Sequence, residues 1–344
     1  MSLFLASIFL GIIPMAIYAA IVCWLDRWEK EPIPLLIAAF GWGSIPSVVF
    51  AVVAQIALGT PLGSEELSLT DTLFQASIVA PITEELVKGL GLLLIFLIFR
   101  NQVDSVLDGL IYGSMIGFGF AAVENVLYFA SQPDVASLLG LFFLRTFLFG
   151  MLHALFTGLT GVGFALGKFS SRVGMKFLWP LLGLALAIFT HALHNYFVTM
   201  GGGHILAAVV GISIGMLWFV VTVAFCLIRE NQWIRLQLAD EVERGTLLEE
   251  QVDDAAHFWR RSGLNVFSMP WGVSLKRRPL LHLATKLSYK KQRQIHSKFT
   301  EQREREIESL RNEVTKFSRE DPLVLSGTIP RKKPVPPPLP KNLS

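Results

Sequence analysis

Residues 73–99 read LFQASIVAPITEELVKGLGLLLIFLIF, an apolar run with two carboxylates and an amine, Glu84, Glu85 and Lys88, set in its middle. A helix that crosses a bilayer needs about 20 mostly apolar residues, and this run supplies them. Each ionisable group inside hydrocarbon costs about 2.5–3.5 kcal/mol on insertion scales, so these three require polar partners from neighbouring helices. Similar apolar stretches lie at 3–25, 33–58, 106–130, 137–167, 177–200 and 204–228. The expected fold class is therefore all-α, a polytopic membrane protein of about seven transmembrane helices. With 52% hydrophobic and 17% charged residues in 344, a water-soluble globule is excluded.

Charge is unevenly distributed. Residues 1–228 hold 8 Lys+Arg against 12 Asp+Glu, and residues 229–344 hold 22 against 15. Arg27, Lys30, Arg100, Lys168, Arg172 and Lys176 fall in alternate loops and the basic tail follows the last span, whereas loops 59–72, 131–136 and 201–203 lack Lys and Arg. The positive-inside rule then sets the N-terminus outside and the C-terminal tail in the cytoplasm. The first stretch lacks the basic flank and small-residue cleavage site of a signal peptide and is expected to be a retained span. Cys23 and Cys226 both sit in apolar runs without metal-ligand spacing and are expected to be core residues.

Three segments follow: a membrane domain over 1–229, a charged helical cytoplasmic tail over 230–320, and a disordered Pro/Lys-rich terminus over 321–344. The tail is expected to form solvated helices, and Pro330 to Pro340 favours extended polyproline II. A cytoplasmic protein or anionic lipid is the tail's candidate partner; nucleic acid is not expected.

The chemistry concentrates in four spans. Glu84, Glu85 and Lys88 lie in the third, Glu124, Asn125 and Tyr128 in the fourth, His153 and Thr157 in the fifth, and His191, His194 and Asn195 in the sixth. Glu84 and Lys88 are four apart, as are Phe120, Glu124 and Tyr128 in series, His153 and Thr157, and His191 and Asn195, so each set shares one helix face. At about 1.5 Å per residue, Glu84, Glu124, His153 and His191 fall at a common depth, roughly 10–20 Å below the outer boundary. That points to one buried cavity. Neither G-x-S-x-G nor H-E-x-x-H occurs. The remaining carboxylate, imidazole and amide set suits activation of water and stabilisation of an oxyanion.

Blander readings exist for several positions. Gly109, Gly113, Gly117 and Ala121 form a small-residue stripe for helix packing. Asp108 and Tyr112 continue the Glu124 face and could line an aqueous vestibule. His194 and His204 read as helix-to-helix hydrogen bonders. Arg145, close to the outer boundary, is expected to snorkel, although an ion pair of Lys88 or Arg145 with the carboxylates could serve packing alone. From another functional class, a proton or metal-ion transporter could use the same Glu and His residues, and a silent scaffold would use only the tail.

In this order on four spans, Glu84-Glu85-x-x-Lys88, Phe120-x-x-x-Glu124-Asn125-x-x-Tyr128, His153 and His191-x-x-x-Asn195 resemble the PrsW family of intramembrane proteases, itself similar to the CAAX-endopeptidase and bacteriocin-processing group. The first-loop sequence Asp26-Arg27-Trp28-Glu29-Lys30-Glu31-Pro32 resembles that family's acidic, proline-ended loop. The resemblance covers about residues 10–228. It implies cleavage of a membrane protein in the bacterial cell membrane, of the kind attached to anti-sigma-factor degradation. It makes Glu84 or Glu85 the base and His191 with Asn195 the oxyanion donors. Glu124 and His153 are then left between base work, orientation and metal binding, with Lys88, Asn125 and Tyr128 in support. A divalent metal such as zinc, if bound, would take Glu85, His153 and His191.

Overall fold

Among the described residues all regular structure is helical. The computed structural model describes residues 3–26, 28, 30–61, 67–257, 271–295 and 300–327. Helix α1 covers Leu3–Leu25 and α2 Ile33–Trp42; a π-helical turn, Gly43–Ser47, joins α2 to α3, Val48–Ala57. After α4, Leu69–Phe74, a second π turn, Gln75–Val79, leads into α5, Ala80–Ile98. Then come α6, Val106–Ala130, and α7, Val135–Phe143, whose π turn Leu144–Leu148 precedes α8, Leu152–Phe169. The series continues with α9, Val173–Met200, and α10, His204–Glu243. Four shorter-range elements follow: α11, Glu249–Ala256; α12, Trp271–Ile295; α13, Glu301–Arg319; and α14, Pro322–Leu325.

Six of the helical stretches are long and apolar enough to cross a membrane, against the seven expected. The one outside that set is the run through α4, the π turn and α5, which carries Glu84, Glu85 and Lys88 in its middle. The fifth expected span is not one straight helix: the π turn and the non-helical Phe149–Met151 break it between α7 and α8.

The chain divides into two compact units. In the first, which ends at Val223, α6 is the central helix and packs against α1, α2, the first π turn and α8, while α5 lies against α8 and α9. From Leu107 to Ala122 α6 is buried on every side, which fits its lack of a polar face there. It starts on a capping box in which Ser105 Oγ accepts from Asp108 N–H and Asp108 accepts from Ser105 N–H. The glycine stripe lets α6 and α8 meet backbone to backbone. A Cβ on Gly113 would stand 2.5 Å from Thr157 O, and one on Gly117 2.3 Å from His153 O. The stripe thus fixes the two α8 residues that face the polar cluster.

The second unit takes Trp28 and Lys30 from the first loop and the chain from Ala224 onward. Its helices are not the fully solvated ones expected. Trp28, Ile234, Leu238, Leu247, Leu280, Leu287 and Val314 share one apolar core. Trp28 donates from Nε1 to Ala256 O at 3.2 Å. Asp321 caps α14 and pairs with buried Arg277 at 3.0 Å, so residues just past 320 belong to this packing. Pro330 to Pro340 lies outside the described residues.

Candidate active site

Lys88 is the hub of the cluster. Its ammonium donates to Glu85 Oε1 at 2.8 Å, Glu84 Oε2 at 3.3 Å and His153 Nδ1 at 3.0 Å. An ammonium has three N–H donors, and these three bonds use all of them. It also stands 3.8 Å from the centroid of the Phe120 ring, a cation–π contact. The side chains of Lys88 and Glu85 are fully buried.

The partners assign the imidazole protons. With Nδ1 accepting from Lys88, His153 carries its proton on Nε2 and donates to Glu124 Oε2 at 2.9 Å. His191 Nδ1 donates to Glu85 Oε1 at 3.0 Å, leaving Nε2 as an acceptor 3.9 Å from Glu84 Oε2. His191 is stacked on Phe156 at 4.7 Å.

The two adjacent glutamates are held very differently. Glu85 accepts from Lys88, His191 and, through Oε2, from Thr157 Oγ1 at 3.2 Å. Glu84 has one hydrogen bond, the longer one to Lys88. Glu85 has three donors and Glu84 has one.

Glu124 closes the other edge. It accepts from His153 and, at 2.5 Å, from Arg145 Nη2. Arg145 Nε donates to Asn125 Oδ1 at 2.7 Å, and its guanidinium lies 4.0 Å over the Tyr128 ring. Arg145 therefore does not snorkel. It sits on the π turn Leu144–Leu148, whose extra residue per turn re-aims the side chain toward α6. The sequence leaves Arg145 between snorkelling and a packing-only ion pair, and the structure has the ion pair, with Glu124. The proximity of a lone Arg to Glu124 was the available signal. The Glu124 and Arg145 side chains are 20% and 22% exposed, so this edge is the open one.

Other expected members lie elsewhere. The Asn195 amide donates to Ala76 O at 2.9 Å, a backbone group of the second π turn. His194 Nδ1 has no hydrogen-bond partner, and its ring packs on Phe149 at 4.9 Å. Asp108 and Tyr112 are buried and line no vestibule; the Tyr112 hydroxyl donates to Glu31 Oε2 in the same unit. Burial, reinforced by the charge of Asp108, pushes the Glu31 carboxyl up to about 10.

The family model described as "PrsW family intramembrane metalloprotease" matches residues 31–226, more than half of the chain. The chain belongs to the PrsW family. Relatives named Protease PrsW include that of Geobacillus kaustophilus, 25% identical over 176 residues, which cover 50% of this chain and 70% of the relative. The Clostridioides difficile protein is 26% identical over 190 residues, covering 54% and 76%, and the Oceanobacillus iheyensis protein 28% over 167, covering 48% and 71%. No solved structure matches. PrsW membership makes this an integral membrane protein of a bacterial intramembrane protease family and favours the protease reading.

The PrsW family description names a metalloprotease, and the residues bear on it. One ligand atom from each of Glu84, Glu85, His153 and His191 lies within 4.8 Å of the others. Two imidazoles and two carboxylates are a donor set that zinc accepts, so the group fits. Glu84 joins the three ligands expected from sequence. The Lys88 ammonium bonds three of these four side chains, so a divalent ion would compete with it for the same lone pairs.

Proposed function

We propose that the chain hydrolyses a peptide bond of a membrane protein by water activated at Glu84, in a bacterial cell membrane with its N-terminus outside and its tail in the cytoplasm. The observation that carries this is the contrast between the adjacent glutamates: Glu85 has three donors, Glu84 only one, at 3.3 Å. A base needs an oxygen free to take a proton, and Glu84 is the less engaged of the two, with one hydrogen bond to its Oε2 and, among the described residues, none to its Oε1. Glu84 Oε2 and the accepting Nε2 of His191, 3.9 Å apart, could each receive a hydrogen from one water.

Glu85 then works as an orienter, holding His191 and Lys88. Glu84 returns the proton taken from water to the accepting Nε2 of His191, and His191 passes it to the leaving amine, so that Glu84 ends as the carboxylate it began as. The substrate reaches the cluster at the Glu124–Arg145 edge, where Arg145 keeps N–H groups beyond its bonds to Glu124 and Asn125 and stabilises the oxyanion. His153 relays the charge of Lys88 to Glu124 and keeps that carboxylate aligned. A divalent ion, when bound, would be held by Glu84, Glu85, His153 and His191 and would supply Lewis-acid polarisation. The resemblance to PrsW proteases makes a single-span, anti-sigma-factor-type protein the expected substrate.

The test is co-expression with a panel of single-span reporter proteins, with and without chelator. Wild type should cut at least one reporter, and Glu84→Gln and Glu124→Gln should not. Cleavage that survives Glu84→Gln but is lost in Glu85→Gln would overturn the choice of base. No cleavage by wild type across the panel would overturn the substrate class.

A further inference from the structure

The second π turn and Pro81 together leave one backbone carbonyl without a helical donor. Within the turn Gln75–Val79 the N–H of Ala80 donates to Gln75 O, the five-residue spacing of a π-helix. At that spacing the next carbonyl in line, Ala76 O, would receive the N–H of residue 81. Residue 81 is proline and has none. The four-residue spacing offers no alternative, because its donor for Ala76 O is Ala80, already committed to Gln75. A carbonyl stranded in an apolar surround is costly, and it needs a donor from outside the helix.

Asn195 Nδ2 supplies that donor at 2.9 Å, across from α9. Pro81 lies three and four residues before Glu84 and Glu85, and the turn it follows sets the rotation of α5 that aims Glu85 at His191 and Thr157 and Lys88 at His153 on neighbouring helices. We infer that Asn195 is a positioning residue: its amide replaces the N–H that Pro81 lacks, and so fixes the π turn that sets the angle of the two glutamates. Its place one turn beyond His191 puts both functions of α9 on one helix face.

The inference predicts an unusual rescue. Asn195→Leu removes the donor, and Pro81→Ala restores an N–H at residue 81 that can serve the same carbonyl. The full-length chain in detergent is compared as wild type, Asn195→Leu, Pro81→Ala and the double variant. Thermal unfolding is followed, together with kcat and KM on the single-span reporter that wild type cuts. Asn195→Leu should lower kcat by about tenfold or more, the equivalent of one lost hydrogen bond in the transition-state geometry, with KM little changed. It should also lower Tm by about 2–4 °C. The double variant should recover most of both. Should Asn195→Leu fail to accumulate, Asn195→Ala is read in the same cycle.

Additive losses in Tm overturn the inference, because the two sites are then independent. Recovered Tm with kcat still lost also overturns it, since Asn195 then acts on the reacting atoms as an oxyanion donor. The kinetic arm rests on the proposed protease reading. The thermal arm does not, so an inactive wild type with a rescued Tm sinks that reading and leaves the positioning role standing.

Discussion

The two units of the chain both bury carboxylates against cations, but with different cations. In the second unit Arg311 grips Glu241 through Nε at 2.9 Å and Nη2 at 3.0 Å, Lys291 adds a bond at 3.0 Å, and Arg277 holds Asp254 and Asp321. A guanidinium stays protonated in proteins and its fork fixes the carboxylate plane. Such a network holds geometry and passes no protons. In the first unit Arg145 holds Glu124, but the carboxylates are linked to one another through an ammonium and two imidazoles, and each imidazole has one donor and one acceptor nitrogen placed on different partners. Each ring therefore has one nitrogen to give a hydrogen and one to accept it, the arrangement a proton transfer needs. Buried charge marks both regions, and the two imidazoles threaded between the carboxylates separate the working one from the structural one.

The largest expected effect tests that separation directly. Glu84→Gln should lower reporter cleavage by about 10²–10⁴-fold, the usual contribution of a general base, with little change in thermal stability. Glu241→Gln should do the reverse: cleavage within a few fold of wild type, but a stability loss on the order of 3 kcal/mol because Arg311 and Lys291 lose their shared partner. Reporter cleavage and thermal melts on the same preparations check both. Equal loss of cleavage in the two variants would break the comparison.

Lys88→Met comes next. It leaves Glu84 and Glu85 without their cation and should destabilise the first unit by about 3–5 kcal/mol. Added zinc or cobalt should raise the melting temperature of this variant more than that of wild type, since the ion no longer competes with the ammonium. A metal-independent melt for Lys88→Met would show that the four-residue set does not bind the ion. Smaller again is Gly117→Ala, whose new Cβ meets the backbone oxygen of His153 at 2.3 Å. Overpacking of this kind costs about 1–3 kcal/mol, and here it should also displace His153 from Lys88 and lower kcat.

Much of the cluster was legible because helix period and depth are simple. The i, i+4 pairing of Glu84 with Lys88 could be read directly, and the common depth of Glu84, His153 and His191 anticipated their meeting. What escaped was set by π turns. One extra residue in a turn rotates everything after it, and no regular period reports that. Arg145 turned inward for this reason, and Asn195 found its partner in a backbone carbonyl freed by the same kind of turn. The core of the second unit escaped for a different reason. Its apolar residues are diluted among charges that pair across helices rather than along one, as Lys291 does with Glu241, so the local pattern looked solvated.

The smallest effect near neutral pH concerns Glu31, where charge is buried by neither device. Its carboxyl is buried beside Asp108, which holds its titration up to about 10, and the Tyr112 hydroxyl donates to it. The folded chain therefore keeps a proton there that the unfolded chain releases at the ordinary glutamate value of 4.5. The sign follows. The contribution of protonated Glu31 to stability is whole below 4.5 and is lost progressively as pH rises toward 10. Glu31→Gln offers an oxygen to Tyr112 and an N–H toward Asp108 with no proton to lose. At pH 6 the variant should lie within about 1 kcal/mol of wild type. Above that pH it should become the more stable of the two, with the gap widening toward pH 9. Thermal melts over that range give the answer, and parallel curves for the two proteins would mean that Glu31 is already ionised in the folded chain, with Tyr112 as its compensating donor.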